Sequence, residues 1–190
     1  MILDVHANTY GLPPSLITPI AAKSIDAIKT YVGDILDSSR SNSAFVVDFS
    51  PLALPDNLKV WNHNRANLIN SKKQIWVHVN YYSYRNYYLK NCGFSDISHC
   101  VVDHIMNRRF AKCLGYEFVR LIHISRETNT SSGCGPENEG VKYQASGTAP
   151  KNQKAVITYA DPSDLVKMLD IKTGAFPLDP VRDALKMFYP

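Results

Sequence analysis

Ile17, Ala21, Ile25, Ile28, Val32 and Ile35 or Leu36 recur at steps of three and four along the chain. That spacing lines one face of a helix and predicts one across 17–36. Thr18-Pro19 can open this helix, since proline is tolerated in a first turn, and Asp37-Ser38-Ser39 should end it. Residues 1–15 carry no such pattern and finish in the stiff run Gly11-Leu12-Pro13-Pro14. Ala44 to Phe49 reads as a strand stopped by Ser50-Pro51. In Gln74 to Asn80, Ile75, Val77 and Val79 alternate with Trp76 and His78, which predicts a half-buried strand. Cys100 to Ile105, Tyr116 to Ile124 and Ala155 to Tyr159 are further β-prone runs. Asn62 to Asn70 suggests a short helix. Asp161 or Ser163 caps a helix running to about Leu169, and Asp179-Pro180 repeats the cap-then-proline signal before Val181 to Tyr189. The pattern predicts an α/β (α+β) single domain. It comprises an N-terminal arm and helix (1–43), strands with a tyrosine-rich segment (44–99), a strand–strand–helix unit (100–133), a flexible loop (134–153) and a C-terminal strand with two helices (154–190).

Composition narrows the class. Of 190 residues, 45% are hydrophobic, which excludes a disordered chain. The longest apolar candidate, 17–36, is broken by Lys23, Asp26, Lys29 and Asp34, so no membrane partner is expected. The first residues include Asp4 and no basic stretch, so no secretory leader is expected either. Cys92, Cys100, Cys113 and Cys134 form no C-x-x-C pair, which fits reduced thiols in a cytoplasmic setting and lacks the paired spacing of a structural zinc site. A net charge of +4 permits a polyanionic partner without demanding one. The local clusters at 71–73 and 107–112 say more than the sum.

Tyr81 to Lys90 holds five tyrosines around Arg85 and Lys90. Such a mixture can stack bases and pair phosphates. It also fits a helix whose rings cover a small core with their hydroxyls in water, the more ordinary use of tyrosine.

The sharpest chemistry lies in 100–133. Cys100-Val101-Val102-Asp103-His104-Ile105 is a β-prone run ending in an acid and a histidine. A second run, Tyr116 to Ile124, leads into Ser125-Arg126-Glu127-Thr128-Asn129, a helical turn or two ended by Gly133. Asn129 stands 26 residues after Asp103. This order resembles the HNH, or ββα-metal, nuclease motif over about 35 residues. The resemblance implies a divalent-metal-dependent nuclease acting on nucleic-acid phosphodiesters, DNA before RNA. Asp103 and Asn129 would hold one Mg²⁺ or Mn²⁺, and His104 would be the general base. These residue types suit phosphodiester hydrolysis. An imidazole takes a proton near pH 7, and magnesium accepts carboxylate and amide oxygens while keeping waters. Neighbours on a regular strand face opposite ways, so Asp103 and His104 share a site only where the strand bends or ends.

Arg108, Arg109, Lys112, Arg120 and Arg126 flank this unit and could hold phosphates, or form a solvated basic face. Glu137 and Glu139 add a ligand if their loop folds back. His123 and His78 read as strand histidines with satisfied partners. The asparagine that often braces the histidine in this family has no counterpart between Asn107 and Asn129. A competing reading makes Val101 to Leu114 one amphipathic helix. Two further functions therefore stand beside the nuclease. One is a non-catalytic nucleic-acid-binding or assembly protein that keeps the shape. The other is a protein-interaction module using the tyrosine-rich segment or the C-terminal helices.

Overall fold

The structure, a computed structural model, describes residues 18–49, 72–93, 97–133 and 155–160, with 164, 167, 168 and 170. The chain runs β1 (Pro19–Ala22), α1 (Ile25–Tyr31), β2 (Gly33–Ser38), β3 (Ala44–Phe49), β4 (Lys73–His78), α2 (Tyr84–Asn91), β5 (Cys100–His104), α3 (Arg108–Cys113), β6 (Phe118–Ser125), α4 (Arg126–Gly133) and β7 (Ile157–Tyr159). It is a mixed α+β fold. All these strands join one antiparallel sheet in the order β2-β3-β4-β6-β1-β7, with β5 also on β6.

Strand β6 organises this sheet. One edge takes β4, from Phe118↔His78 to Leu121↔Ile75. The other edge takes two strands end to end: β1 at Phe118 and Val119, and β5 from Leu121 to Ser125. Side chains leave β6 to both faces, and both faces are covered. Ile75, Val77, Val119 and Leu121 join a core that includes Tyr88 of α2 and Ala111 of α3. Phe45, Trp76 and Phe118 join a second core with Ala27 and Ile28 of α1. The alternation expected for β4 is therefore present, but the strand is buried on both sides rather than half-buried. A central strand in a sheet with helices on each face has no solvent side.

The single helix expected across 17–36 is instead β1, α1 and β2. Ile20, Ala21 and Ala22 are each 0% exposed, because β1 lies between β6 and β7 with both faces covered. A short, continuously apolar strand fits a helical template as well as a strand one. Pro19 begins the strand, a position where its missing N–H is tolerated. The Ser24 hydroxyl then accepts from the Ala27 N–H at 3.1 Å and starts α1 afresh. Gly33 ends the helical stretch at φ 154°, and a Cβ there would stand 1.9 Å from the Asp48 carbonyl oxygen on β3. The chain can turn from α1 into β2 at that point only because no side chain is present.

Other expectations hold. The strands at 44–49 and 157–159 are present, and α2 covers much of the tyrosine-rich segment. Tyr88 is buried in the core, Tyr81, Tyr84 and Tyr87 pack against it, and Tyr82 is 85% exposed. Residues 164, 167 and 168 are helical, as expected for the helix ending near 169. The short helix at 62–70, the loop at 134–153 with Glu137 and Glu139, the caps at 161 and 163, and the last helix lie outside the described residues.

Gly33→Ala is expected to lower stability by more than about 1 kcal/mol, because the new methyl meets a neighbouring strand's backbone rather than a movable side chain. A urea-denaturation midpoint unchanged from wild type would contradict this account of the turn.

Candidate functional site

Around Asp103 and His104 the order is β5, α3, β6, α4, so the two expected strands and the helix after them are there, with α3 where a loop was expected between the strands. Strand β5 pairs antiparallel with β6, from Cys100↔Ser125 to His104↔Leu121, and α4 follows β6 directly. The one-helix reading of Val101 to Leu114 is excluded by β5 and the separate α3. Asn107 divides the two: its side-chain oxygen accepts from the Arg109 N–H at 2.9 Å and from the Phe110 N–H at 3.5 Å. It is the N-cap of α3, which accounts for an asparagine there. Ser125 serves α4 likewise, its hydroxyl oxygen accepting from the Thr128 N–H at 3.2 Å.

Strand β5 ends at His104, which lets the side chains of neighbouring residues approach each other. His104 Nδ1 lies 4.0 Å from Asp103 Oδ1, while the His104 backbone N–H donates to that same oxygen at 2.8 Å. The second carboxylate oxygen, Oδ2, is 2.9 Å from Lys167 Nζ. The Lys167 ammonium also donates to the carbonyls of His104 at 2.8 Å and Ile105 at 3.3 Å. Lys167 is 4% exposed, held by acceptors from the end of β5. Its segment is tied down a second time where the Ser125 N–H donates to Asp170 at 2.7 Å.

These contacts bear on a metal at Asp103. Both carboxylate oxygens already receive protein donors, one of them a cation. A divalent ion there would have to displace or face the ammonium, so the donor set does not fit Mg²⁺ or Mn²⁺ as it stands. Asn129 lies partly buried on α4. Among the described residues, no three His, Cys, Asp or Glu side chains gather in a metal-binding group.

His104 is 4% exposed, and its Nε2 has no hydrogen-bond partner among the described residues. The Tyr84 ring lies tilted against the imidazole, 4.4 Å between centroids and 58° between planes. Burial pushes the His104 pKa down to about 4; Asp103 opposes this, and the positive charges of Arg108 and Lys167 add to it. An imidazole with that pKa is neutral at pH 7 but a weak base, and its position gives water little access. His104 differs on both counts from the general base expected of it.

The basic residues separate into two groups. Arg109, Lys112 and Arg126 are exposed, and Arg108 is half-buried with its guanidinium 5.7 Å over the Tyr84 ring. Arg120, expected among the phosphate contacts, lies inside the fold. It is 2% exposed, opposite Trp76 in the sheet, and donates to the Thr18 hydroxyl at 2.6 Å. Its place in a strand covered on both faces removes it from any surface. Burial lowers its pKa to about 9, which still leaves it charged at pH 7. His123 is satisfied as expected, with Nδ1 2.8 Å from the Tyr88 hydroxyl, and His78 Nδ1 accepts from the Asn80 N–H at 3.2 Å.

Sequence reasoning missed Lys167. Its signal was a lone cation amid Leu165, Val166, Met168 and Leu169, in a helix whose apolar side must dock. Compared with known proteins, the chain matches no family model, no curated protein and no solved structure.

Lys167→Met is expected to cost about 2–4 kcal/mol, since it leaves Asp103 facing the protein without its cation. The Asp103 side chain is 25% exposed, and hydration there favours the lower end. Adding Asp103→Asn should recover part of that loss; a double-mutant cycle with no coupling would show the pair to be energetically idle. His104 supplies a pH signature. Its folded pKa of about 4 lies below the usual 6.5, so the unfolded chain binds the proton first. Its contribution is intact above pH 6.5 and is lost as pH falls toward 4, by about 3 kcal/mol in total. Denaturation at about pH 7 and about pH 4.5 should show a steeper acid loss for wild type than for His104→Gln, and equal slopes would refute it.

Proposed function

We propose that this protein binds nucleic acid without cleaving it, keeping the strand–strand–helix arrangement as a scaffold. The observation that carries this reading is the state of Asp103, whose carboxylate is engaged by Lys167 Nζ at 2.9 Å and by the His104 N–H at 2.8 Å. A lysine ammonium in that position neutralises the carboxylate and anchors the end of β5, as a structural cation would. Arg109, Lys112 and Arg126 are exposed and available to phosphate, and electrostatic contacts of this kind supply most of the affinity of non-specific binders.

A second reading is the metal-dependent nuclease, with His104 as base and Asp103 and Asn129 as ligands. The observation in its favour is the antiparallel pairing of β5 with β6 and the helix α4 that follows β6, with α3 inserted between the strands. It requires Lys167 to leave Asp103 before a metal enters.

The two readings part in one experiment. Purified protein is incubated with supercoiled plasmid and with single-stranded RNA in Mg²⁺, Mn²⁺ or EDTA, with binding followed by gel shift. The binder is expected to shift the polynucleotide equally with or without metal, to weaken by an order of magnitude or more between about 50 and 200 mM salt, and to leave the strands intact. Metal-dependent nicking that disappears in Asp103→Asn and His104→Ala would replace it with the nuclease. No shift at low salt and no cleavage would reject both.

A further inference from the structure

The basic cluster of α3 and the tyrosine-rich segment, separate along the chain, meet in the structure. Arg108, the first residue of α3, lies over the ring of Tyr84, the first residue of α2. Tyr84 in turn rests on His104 at the end of β5. Both helices pack on the same core, Tyr88 from α2 and Ala111 from α3, so they share one face of the sheet. Tyr82 precedes this contact by two residues and is 85% exposed, far more than a ring needed for packing would be. Arg85 and Arg109 directly follow the two contacting residues, and both are exposed, as are Lys90 and Lys112.

The charge on this face is mainly positive. Between Tyr81 and Gly115 the chain carries Arg85, Lys90, Arg108, Arg109 and Lys112 against Asp96 and Asp103. Asp103 is already matched by Lys167. The exposed acid Asp26 lies instead on α1, which packs on the opposite core, while Asp37 of β2 stands beside Tyr87 of α2 and is the acid nearest this face. The exposed cations Arg85, Lys90, Arg109 and Lys112 outnumber the neighbouring Asp37, so a polyanion is attracted to the α2–α3 face.

Resting on the nucleic-acid reading above, we infer that the α2–α3 face binds single-stranded polynucleotide, with a base stacked on Tyr82 and the backbone tracked by Arg85, Arg109 and Lys112. A duplex would satisfy the cations but has no unstacked base to offer the ring, whereas a single strand uses both. Arg108 has a positioning part: its guanidinium over Tyr84 pins the start of α3 to the start of α2, holding the cations beside the exposed ring.

The inference is tested by fluorescence anisotropy with labelled oligo(dT) of about 15 nucleotides, the corresponding oligo(U), and a mixed-sequence duplex of equal length, at about 50 mM salt. Wild type is expected to bind the single strands at least about ten-fold more tightly than the duplex. Tyr82→Ala should weaken single-strand binding about ten-fold and leave duplex binding unchanged, while Tyr82→Phe keeps the ring and the affinity. Arg109→Gln with Lys112→Gln should weaken all three ligands and flatten the salt dependence. Tyr82 is exposed enough that its variants should fold, which circular dichroism checks. Comparison of oligo(dT) with oligo(U) separates DNA from RNA as the source of the strand. Equal affinity for duplex and single strand, or no effect of Tyr82→Ala, would overturn this inference while leaving nucleic-acid binding intact. No binding to any of the three would overturn both.

Discussion

Strand β6 must satisfy its backbone along two edges while burying side chains on two faces, and the rest of the architecture follows from that demand. One edge is met by β4 alone. The other needs two strands, because β1 reaches only Phe118 and Val119 before β5 takes over at Leu121. Arg120 falls at the joint, where its carbonyl accepts from the Ile105 N–H at 3.0 Å just beyond the end of β5. Its guanidinium reaches Thr18, just before β1. The joint between the two edge strands is thus bridged from both sides by one residue. Burial of so large a cation is tolerable only with hydrogen bonds in place, because an unpartnered charge in the interior costs several kcal/mol.

The same logic links β5 and β6 to distant parts of the chain. His123 on β6 meets the Tyr88 hydroxyl of α2, Asp103 on β5 meets Lys167, and the Ser125 N–H meets Asp170. Each contact pairs a polar group at or near the core with a partner far along the sequence, and each fixes where one covering element sits. Met168, between Lys167 and Asp170, is 0% exposed in the core shared with Ile122 and Ile124. Apolar burial supplies the attraction there, and the flanking polar contacts set the register, since a shift of the segment would strand both charges.

How far the residues announced this arrangement depends on the length of the pattern. Strands of five or more residues with alternation or β-branched runs, such as 44–49 and 118–125, could be read directly, as could the polar turn that opens α4. The stretch 17–36 could not. Its apolar residues fit a helical period because a four-residue strand, a two-turn helix and another strand happen to space them so. The information separating these was local and slight: Ser24 as a cap, and Gly33 where a backbone carbonyl leaves no room for a side chain. At the candidate site, the strand ending in Asp103-His104 was legible because it is contiguous. Lys167 was not, because a contact across 64 residues leaves no periodic trace, and neither was the meeting of Arg108 with Tyr84. Arg120 and Arg109 are alike as residue types. Only the two covered faces of β6 decide that one is structural and the other available.

A histidine beside an aspartate is read as chemistry when water and substrate can reach it, and as structure when they cannot. His104 has a carboxylate neighbour that should raise its pKa, yet burial outweighs it, and Arg108 and Lys167 add positive charge on the same side of the balance. For His104 to serve as a base near pH 7, Asp103 would have to act on it undiluted. Lys167 opposes that by holding the carboxylate's other oxygen, so one ammonium both engages Asp103 and weakens the histidine as a base. Asp103 and His104 are therefore neighbours without the electrostatics that a base near pH 7 needs. Among the described residues the fold leaves Tyr82, just before α2, and the cations of α2 and α3 exposed, beside the contacts that Tyr84 makes with His104 and Arg108.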